Sequence, residues 1–360
     1  MRGIVWDGSA LVVTDELEVR DPGLGEVQVR VLASGICHSD LNQMDDAGQL
    51  PEPIVLGHEA AGVVERLGPG VTRGHVGAPV AIASMRPCGV CRACVDARPV
   101  DCPDTFRTGG SPFTWRGEPA RAYANVSSFA ELITVHESQL VPTPGLEPTA
   151  AALIGCAVST GYGVVRNVAG VREGDTVVVF GIGGVGVNVL QTARLQRAAQ
   201  IVAVDVNATR AEIAEYFGAD TFLVVPWDAN SETLAARVRD SVRAPVDAAI
   251  ECSGAPAAID ASLRVLGPGG RAALVGIPRD GTLVSFDVRR LLRGRHRVLG
   301  SLNGDVDPQR DMADIAQLAR EGDLDLASQV TRVWPLADVE EAIDAVRAGE
   351  VVRAVLDHTR

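Results

Sequence analysis

The sequence predicts an α/β protein in two parts: a β-rich start, then a doubly wound parallel sheet. Three observations carry this. Up to about residue 85 the chain reads as short strands punctuated by glycine and proline. From about residue 148 apolar strands alternate with helical segments. One of those strands runs straight into a glycine-rich turn, with an acid at the end of the strand that follows.

In the first part, Val27-Gln28-Val29-Arg30-Val31 alternates strictly and suits a half-buried strand. Further strands are expected within Val55 to Val64 and Gly77 to Ala83, with breaks at Pro22-Gly23 and Gly68-Pro69-Gly70. In the second part strands are expected at 177–180, 201–204, 222–225, 247–251, 272–276 and 297–301. Helices are expected at Val187 to Ala198, Ala208 to Phe217 and Ala257 to Leu266. Helical runs at 308–321 and 336–348 and a strand at 352–356 close the chain. No internal repeat or low-complexity segment interrupts this order.

The apolar run Val177-Val178-Val179-Phe180 ends in G-x-G-x-x-G, at Gly181, Gly183 and Gly186, with Gly184 and Val185 inside it. The first glycine makes a tight turn, the second lets the backbone approach a pyrophosphate, and the third lets the helix pack on its strand. The helix N-terminus offers its unpaired N–H groups to phosphates. Ile201-Val202-Ala203-Val204 then ends in Asp205, where a carboxylate can hold both ribose hydroxyls. The motif therefore reads as a dinucleotide site. Asp205 favours NAD over NADP, because its charge repels a 2′-phosphate. Arg210, close by, can reach a 2′-phosphate or a ribose oxygen.

Bulk properties narrow the partners. The chain has 360 residues and a formal net charge of −13, which argues against a nucleic-acid partner. It shows neither a signal peptide nor an apolar stretch long enough for a membrane span, so a cytoplasmic protein is expected. Seven cysteines, an odd and clustered set, point to metal rather than a disulfide framework.

Cys88, Cys91, Cys94 and Cys102 form C-x2-C-x2-C-x7-C, a donor set that can surround one tetrahedral zinc. Four protein ligands close the coordination shell, so such a site is structural. The segment has little apolar content, so the metal would supply much of its ordering energy. Spacing alone also admits an iron–sulfur cluster. Of the remaining cysteines, Cys37 opens Cys37-His38-Ser39-Asp40 and Cys156 follows Gly155. His58 and Glu59 sit in Gly57-His58-Glu59. Two cysteines and a histidine suit a catalytic zinc, but spacing cannot bring them together, and each alone reads as a buried thiol or a core histidine. Cys252 reads as a buried strand-end thiol with no metal role.

Taken together, Gly35-Ile36-Cys37-His38-Ser39-Asp40, Gly57-His58-Glu59-Ala60-Ala61-Gly62, the four-cysteine run, Gly155-Cys156 and the glycine-rich turn resemble the zinc-dependent alcohol dehydrogenases of the medium-chain dehydrogenase/reductase superfamily. The resemblance covers nearly the whole chain. It implies a GroES-like catalytic domain over 1–157 with a structural zinc lobe at about 86–104. It implies a Rossmann domain over 158–302, and a segment, 303–360, that returns to the catalytic domain. Two zinc ions per chain are implied. Cys37, His58 and Cys156 would hold the catalytic one, with Glu59 able to approach it, and the four lobe cysteines the other. Asp40 would orient His58, and Ser39 would take the proton of the alcohol. His38 and Arg353 would meet the pyrophosphate, and Thr160 and Val185 would press the nicotinamide toward the substrate. The implied reaction interconverts an alcohol and its aldehyde or ketone by hydride transfer with NAD. A homodimer or homotetramer is implied, with the strand near 297–302 at the pairing edge.

Two positions depart from the family pattern. Asn42 stands where many members carry a histidine that ends the proton relay, and Ala78 follows Gly77 where aspartate is usual. Ser84, Arg107, Tyr123, Ile277 and Leu302 are expected to approach the substrate channel, with Ile277 also beside the cofactor. Ser84 is small where an aromatic often narrows the pocket, which points to a bulkier alcohol. The stretch 103–127, with Phe106, Phe113, Trp115 and Tyr123, either shapes the entrance or forms a surface loop with its own small apolar cluster. Two further readings stay open: the same chemistry with permanently held nicotinamide and another electron acceptor, and a non-catalytic zinc and nucleotide-binding protein.

Overall fold

The computed structural model describes residues 1–45, 53–106 and 110–360. The chain divides into two compact units, one made of Met1–Ala157 with Asp307–Arg360 and one of Val158–Val306. The return crossing falls after Val306 rather than Leu302. Residues 303–306 stay with the second unit, where a Cβ on Gly163 would come within 2.1 Å of the Gly304 carbonyl.

The first unit is built on two sheets. The larger has seven strands, and its central strand is Glu26–Ile36. Glu59–Leu67 and Arg353–Asp357 flank that strand, both antiparallel to it. Val27, Val29 and Val31 are buried as their alternation demands, but Gln28 is buried too and only Arg30 faces out. The expected run from Val55 to Val64 is split into Ile54–Val55 and Glu59–Leu67, which frees Leu56–His58 to turn. A six-stranded sheet carries the start of the chain and the hairpin Phe113–Trp115/Glu118–Ala122. Phe113 and Trp115 join the main core with Val29, Ile82 and Ile133, and Tyr123 packs against a second one. These aromatics are therefore core elements, not a loop cluster of their own; Phe106 stays exposed. The C-terminal helix Val339–Arg347 closes the second core together with Ile36, Leu56, Phe129 and Trp334.

The second unit holds one parallel sheet. Its order is Thr221–Val224, Gln200–Asp205, Thr176–Phe180, Val246–Glu251, Leu266–Leu274, Arg297–Gly300. The order reverses between Thr176–Phe180 and Val246–Glu251, which places a crevice at their carboxyl ends. Val177–Val179, Ile201–Val204 and Ala248–Ile250 are fully or nearly fully buried, as continuous apolar strands covered on both faces must be. The helix after the glycine-rich turn is Gly184–Leu195, starting ahead of Val187 because Gly183 takes the extended cap conformation. Among the described residues no single helix is long and apolar enough to cross a membrane.

Candidate active site

The first centre lies wholly in the first unit. Cys37 ends the strand Glu26–Ile36 and His38 opens the helix His38–Asp45. His58 sits just before Glu59–Leu67, and Cys156 just after the turn Ala152–Gly155. Gly57 has φ +86, and a Cβ there would lie 2.4 Å from Ser128 Oγ, so only glycine turns the chain into His58. The fold gathers one donor atom each from Cys37, His58, Glu59 and Cys156 within 4.8 Å of one another.

Asp40 organises this cluster. It is fully buried; its Oδ1 accepts from Gly57 N and faces His58 Nδ1, each at 3.0 Å, and its Oδ2 accepts from Cys37 N at 3.0 Å. The imidazole is thereby fixed with Nε2 toward the thiols. Ser39 Oγ lies 3.2 Å from Cys37 Sγ and 3.4 Å from His58 Nε2. The hydrogen bond between the two thiols pulls Cys37 well below the ordinary range and pushes Cys156 well above it. Burial works to lower the His58 pKa, but the charge and hydrogen bond of Asp40 outweigh it and hold it well above its usual value. Burial also raises Glu59, against the pull of Arg353.

The sequence assigned Glu59 and Arg353 to separate tasks; the structure pairs them. Both are buried and form an ion pair through Oε2 and Nη2, while Glu59 Oε1 accepts from Ala157 N at 3.1 Å. The register explains it. Glu59 stands opposite Gly35, and Ala354 opposite Ile36, so the pair spans the central strand. A Cβ on Gly35 would come within 2.0 Å of Glu59 Oε2, so the missing side chain makes room for the carboxylate. Arg353 Nε has no hydrogen-bond partner among the described residues. With both thiols ionised the cluster is net negative, and a divalent cation offsets that charge; the donor set fits zinc.

A second centre occupies one short segment. Cys88, Cys91, Cys94 and Cys102 place their sulfurs within 4.8 Å of one another, and none forms a disulfide. Backbone N–H groups of Cys88 and Asp104 point at Cys102 Sγ, each at 3.4 Å, and Cys91 N at Cys88 Sγ at 3.3 Å. Against the cost of burial, these bonds draw Cys102 down to about 6, while burial drives Cys94 up to about 12. Val90 and Val95 are exposed, so neither adds buried apolar packing to the segment. N–H groups aimed at sulfur favour thiolates, which is the form a tetrahedral zinc binds.

In the second unit Gly181 has φ +88 and packs on Ser253, and a Cβ on Gly186 would lie 2.0 Å from the Gly181 carbonyl. Over Gly183 there is open space, so a group can approach that backbone closely. Asp205 ends its strand as expected and also braces the turn: its carboxylate accepts from Ile182 N at 2.6 Å and Asn207 N at 2.8 Å. Arg210 is buried, which lowers its pKa against the opposing charge of Asp205. Thr160 is buried, Val185 is half-buried in the first helical turn, and Ile277 and Leu302 are exposed. Sequence reasoning missed Glu251, a buried carboxylate that accepts from Ser253 N and Gly254 N and shapes the loop beneath Gly181. Its signal was an acid closing the apolar run Ala248-Ala249-Ile250. Burial raises both Glu251 and the half-buried Cys252.

The remaining expected residues lie in the first unit. His38 is exposed. Ser84 is buried beside the Gly155 carbonyl, and Tyr123 meets the centre directly, with its ring edge-on to His58 at 5.6 Å and its hydroxyl donating to Ser39 O at 2.8 Å. Arg107 lies outside the described residues. Tyr123 leads into a strained turn: Ala124, Asn125 and Ser127 all have left-handed backbones, at about 1–2 kcal/mol each for Ala124 and Ser127, while asparagine tolerates it.

A GroES-like β unit with two thiol-rich centres and a nucleotide-binding unit define a zinc-dependent dehydrogenase of α/β class. Residues 23–145 match the alcohol dehydrogenase GroES-like domain, and residues 184–321 the zinc-binding dehydrogenase domain. An S-(hydroxymethyl)glutathione dehydrogenase of Synechocystis is 32% identical, with 95% of each chain covered. A zinc-binding alcohol dehydrogenase domain protein from Burkholderia ambifaria superposes with a TM-score of 0.92 at 31% identity, covering 99% of this chain and 98% of that one. The benzyl alcohol dehydrogenase of Acinetobacter calcoaceticus gives 0.90 at 29%, again over 99% and 98%. The chain belongs to the zinc-dependent alcohol dehydrogenase family of the medium-chain superfamily, and it is an oxidoreductase of alcohols and aldehydes.

Proposed function

We propose that the chain oxidises bulky primary alcohols with NAD, reversibly, using Cys37, His58 and Cys156 as catalytic zinc ligands and the four lobe cysteines as structural ones. The observation that carries this is the convergence of Cys37, His58, Glu59 and Cys156 around the buried Asp40. When bound, zinc supplies Lewis acidity toward the substrate oxygen, and NAD supplies the hydride acceptor. Asp40 holds the His58 ring so that Nε2 remains a ligand. Ser39 Oγ, beside Cys37 and His58, receives the proton of the substrate hydroxyl. Asn42 does not titrate, so that proton leaves to water. The turn at Gly181–Gly186 seats the pyrophosphate, and Asp205 holds the ribose and disfavours NADP. Ser84 leaves room where a larger side chain would narrow the pocket; the name of the Acinetobacter relative agrees with an aromatic substrate.

The exposed edge strand Arg297–Gly300, with Leu283, Phe286, Leu292 and Val298 exposed nearby, supports pairing into a homodimer, which sedimentation would measure. The test of function is absorbance at 340 nm with benzyl alcohol, ethanol, NAD and NADP. A sustained rise that requires added NAD and favours benzyl alcohol is expected. A small burst without added NAD would instead indicate held nicotinamide. Equal or better efficiency on ethanol would overturn the reading of Ser84.

A further inference from the structure

We propose that the strained turn Ala124–Ser127 is a strut between the four-cysteine lobe and the Cys37–His58 centre, in which Asn125 and Tyr123 are positioning residues for Ser39. The proposal deepens the functional reading, since it rests on Ser39 as the proton-accepting group. Its starting point is strain. Three of four consecutive residues, none of them glycine, have left-handed backbones: Ala124, Asn125 and Ser127, at φ 47, 59 and 59. Such a turn persists only where its surroundings over-determine it.

The restraints run in two directions. Toward the lobe, the Asn125 side-chain amide donates to Thr105 O at 3.1 Å and Ser84 O at 3.4 Å. Thr105 follows the last lobe cysteine and donates its N–H to Cys102 O at 3.0 Å, while Ser84 precedes the first. One amide thus clasps both stems of the metal loop. Gln139, almost fully buried, locks it from behind by donating to Asn125 O at 3.1 Å and Ala83 O at 2.9 Å. Toward the centre, Val126 N and Ser127 N both donate to Tyr123 O, and Ser127 Oγ accepts from Tyr123 N at 2.7 Å. That fixes the tyrosine whose hydroxyl donates to Ser39 O and whose ring abuts His58. The path from lobe stem to Ser39 is continuous: Thr105 and Ser84, Asn125, Tyr123, Ser39. Metal order in the lobe is thereby transmitted to the proton-accepting hydroxyl.

Two mild variants of the zinc-loaded enzyme test this. Asn125→Gly keeps the left-handed backbone and removes the amide; Tyr123→Phe keeps the ring and removes the hydroxyl. Amide hydrogen exchange is expected to quicken at residues 38–45 in both, and at 84–88 in Asn125→Gly alone, with the rest of the chain unchanged. Turnover is expected to fall about tenfold with KM nearly constant, and the double variant to be no slower than Asn125→Gly. Unchanged exchange at 38–45, losses that multiply in the double variant, or exchange quickened throughout the unit would overturn the strut. Ser39→Ala separates the two layers. If it leaves turnover intact, the reading of Ser39 fails, while exchange at 38–45 still decides the strut.

Discussion

The two thiol-rich centres of the first unit hold similar atoms by opposite means. The lobe gathers its sulfurs from one short run of chain in which Val90 and Val95 are exposed. The other centre draws Cys37, His58 and Cys156 from three separate segments, each fixed by a strand end or a tight turn. Its charges are answered by buried neighbours, Asp40 on His58 and Arg353 on Glu59. The lobe therefore depends on its metal for shape, whereas the dispersed centre has its shape supplied by the fold and depends on metal only for chemistry.

The largest effect expected from that difference is on folding. Cys102→Ser should leave the lobe disordered and cost several kcal/mol, read as a large drop in Tm with one metal equivalent missing. If Tm holds, the lobe is not metal-dependent. Cys156→Ser should do the reverse, lowering turnover at least a thousandfold while Tm moves only a few degrees. A collapse of the fold in that variant would erase the contrast. Asp40→Asn should weaken metal retention or activity about 10- to 100-fold, because the ligand stays but its orientation is lost; dialysis against a weak chelator measures it. Gly35→Ala should cost about 1–3 kcal/mol in chemical denaturation, since its methyl would displace the Glu59 carboxylate from Arg353.

The effect that is smallest at neutral pH, and grows only in acid, concerns the unit's other buried histidine. Burial drives the pKa of His358 down from 6.5 to about 3; the charge of Arg2 acts the same way and that of Asp357 opposes it without prevailing. Ser34 Oγ donates to Ser128 O, so His358 Nε2 donates to Ser34, and Nδ1 is buried without a partner among the described residues. The unfolded chain takes up a proton below pH 6.5 while the folded chain does not until about 3. Stability from this group is thus lost as pH falls through that window, at about 1.4 kcal/mol per unit. His358→Gln should flatten that part of the stability curve; an unchanged slope would mean the ring is not buried neutral.

The legible parts of the sequence were the local ones. The parallel strands, the glycine-rich turn with Asp205, and the lobe all carry their pattern within one short window. Cys37, His58 and Cys156 were legible only through resemblance, because no local pattern tells that three distant segments converge. The Glu59–Arg353 pair, 294 residues apart, depends on strand register and on an absent side chain at Gly35. The turn at 124–127 was hidden for another reason: Ala124 has no preference for a left-handed backbone, so its conformation is imposed by the tertiary bonds of Asn125 and Gln139. Asp205 had a second task, bracing Ile182, that a motif describes only by its ligand role.

The most direct test of the account follows zinc content, turnover at 340 nm and circular dichroism together while a chelator acts on the intact enzyme. The account predicts two steps. The first zinc leaves with all activity and little change in fold, and the second leaves only as the unit loses structure. Loss of both ions in one step with unfolding, or activity that survives the first loss, would contradict it.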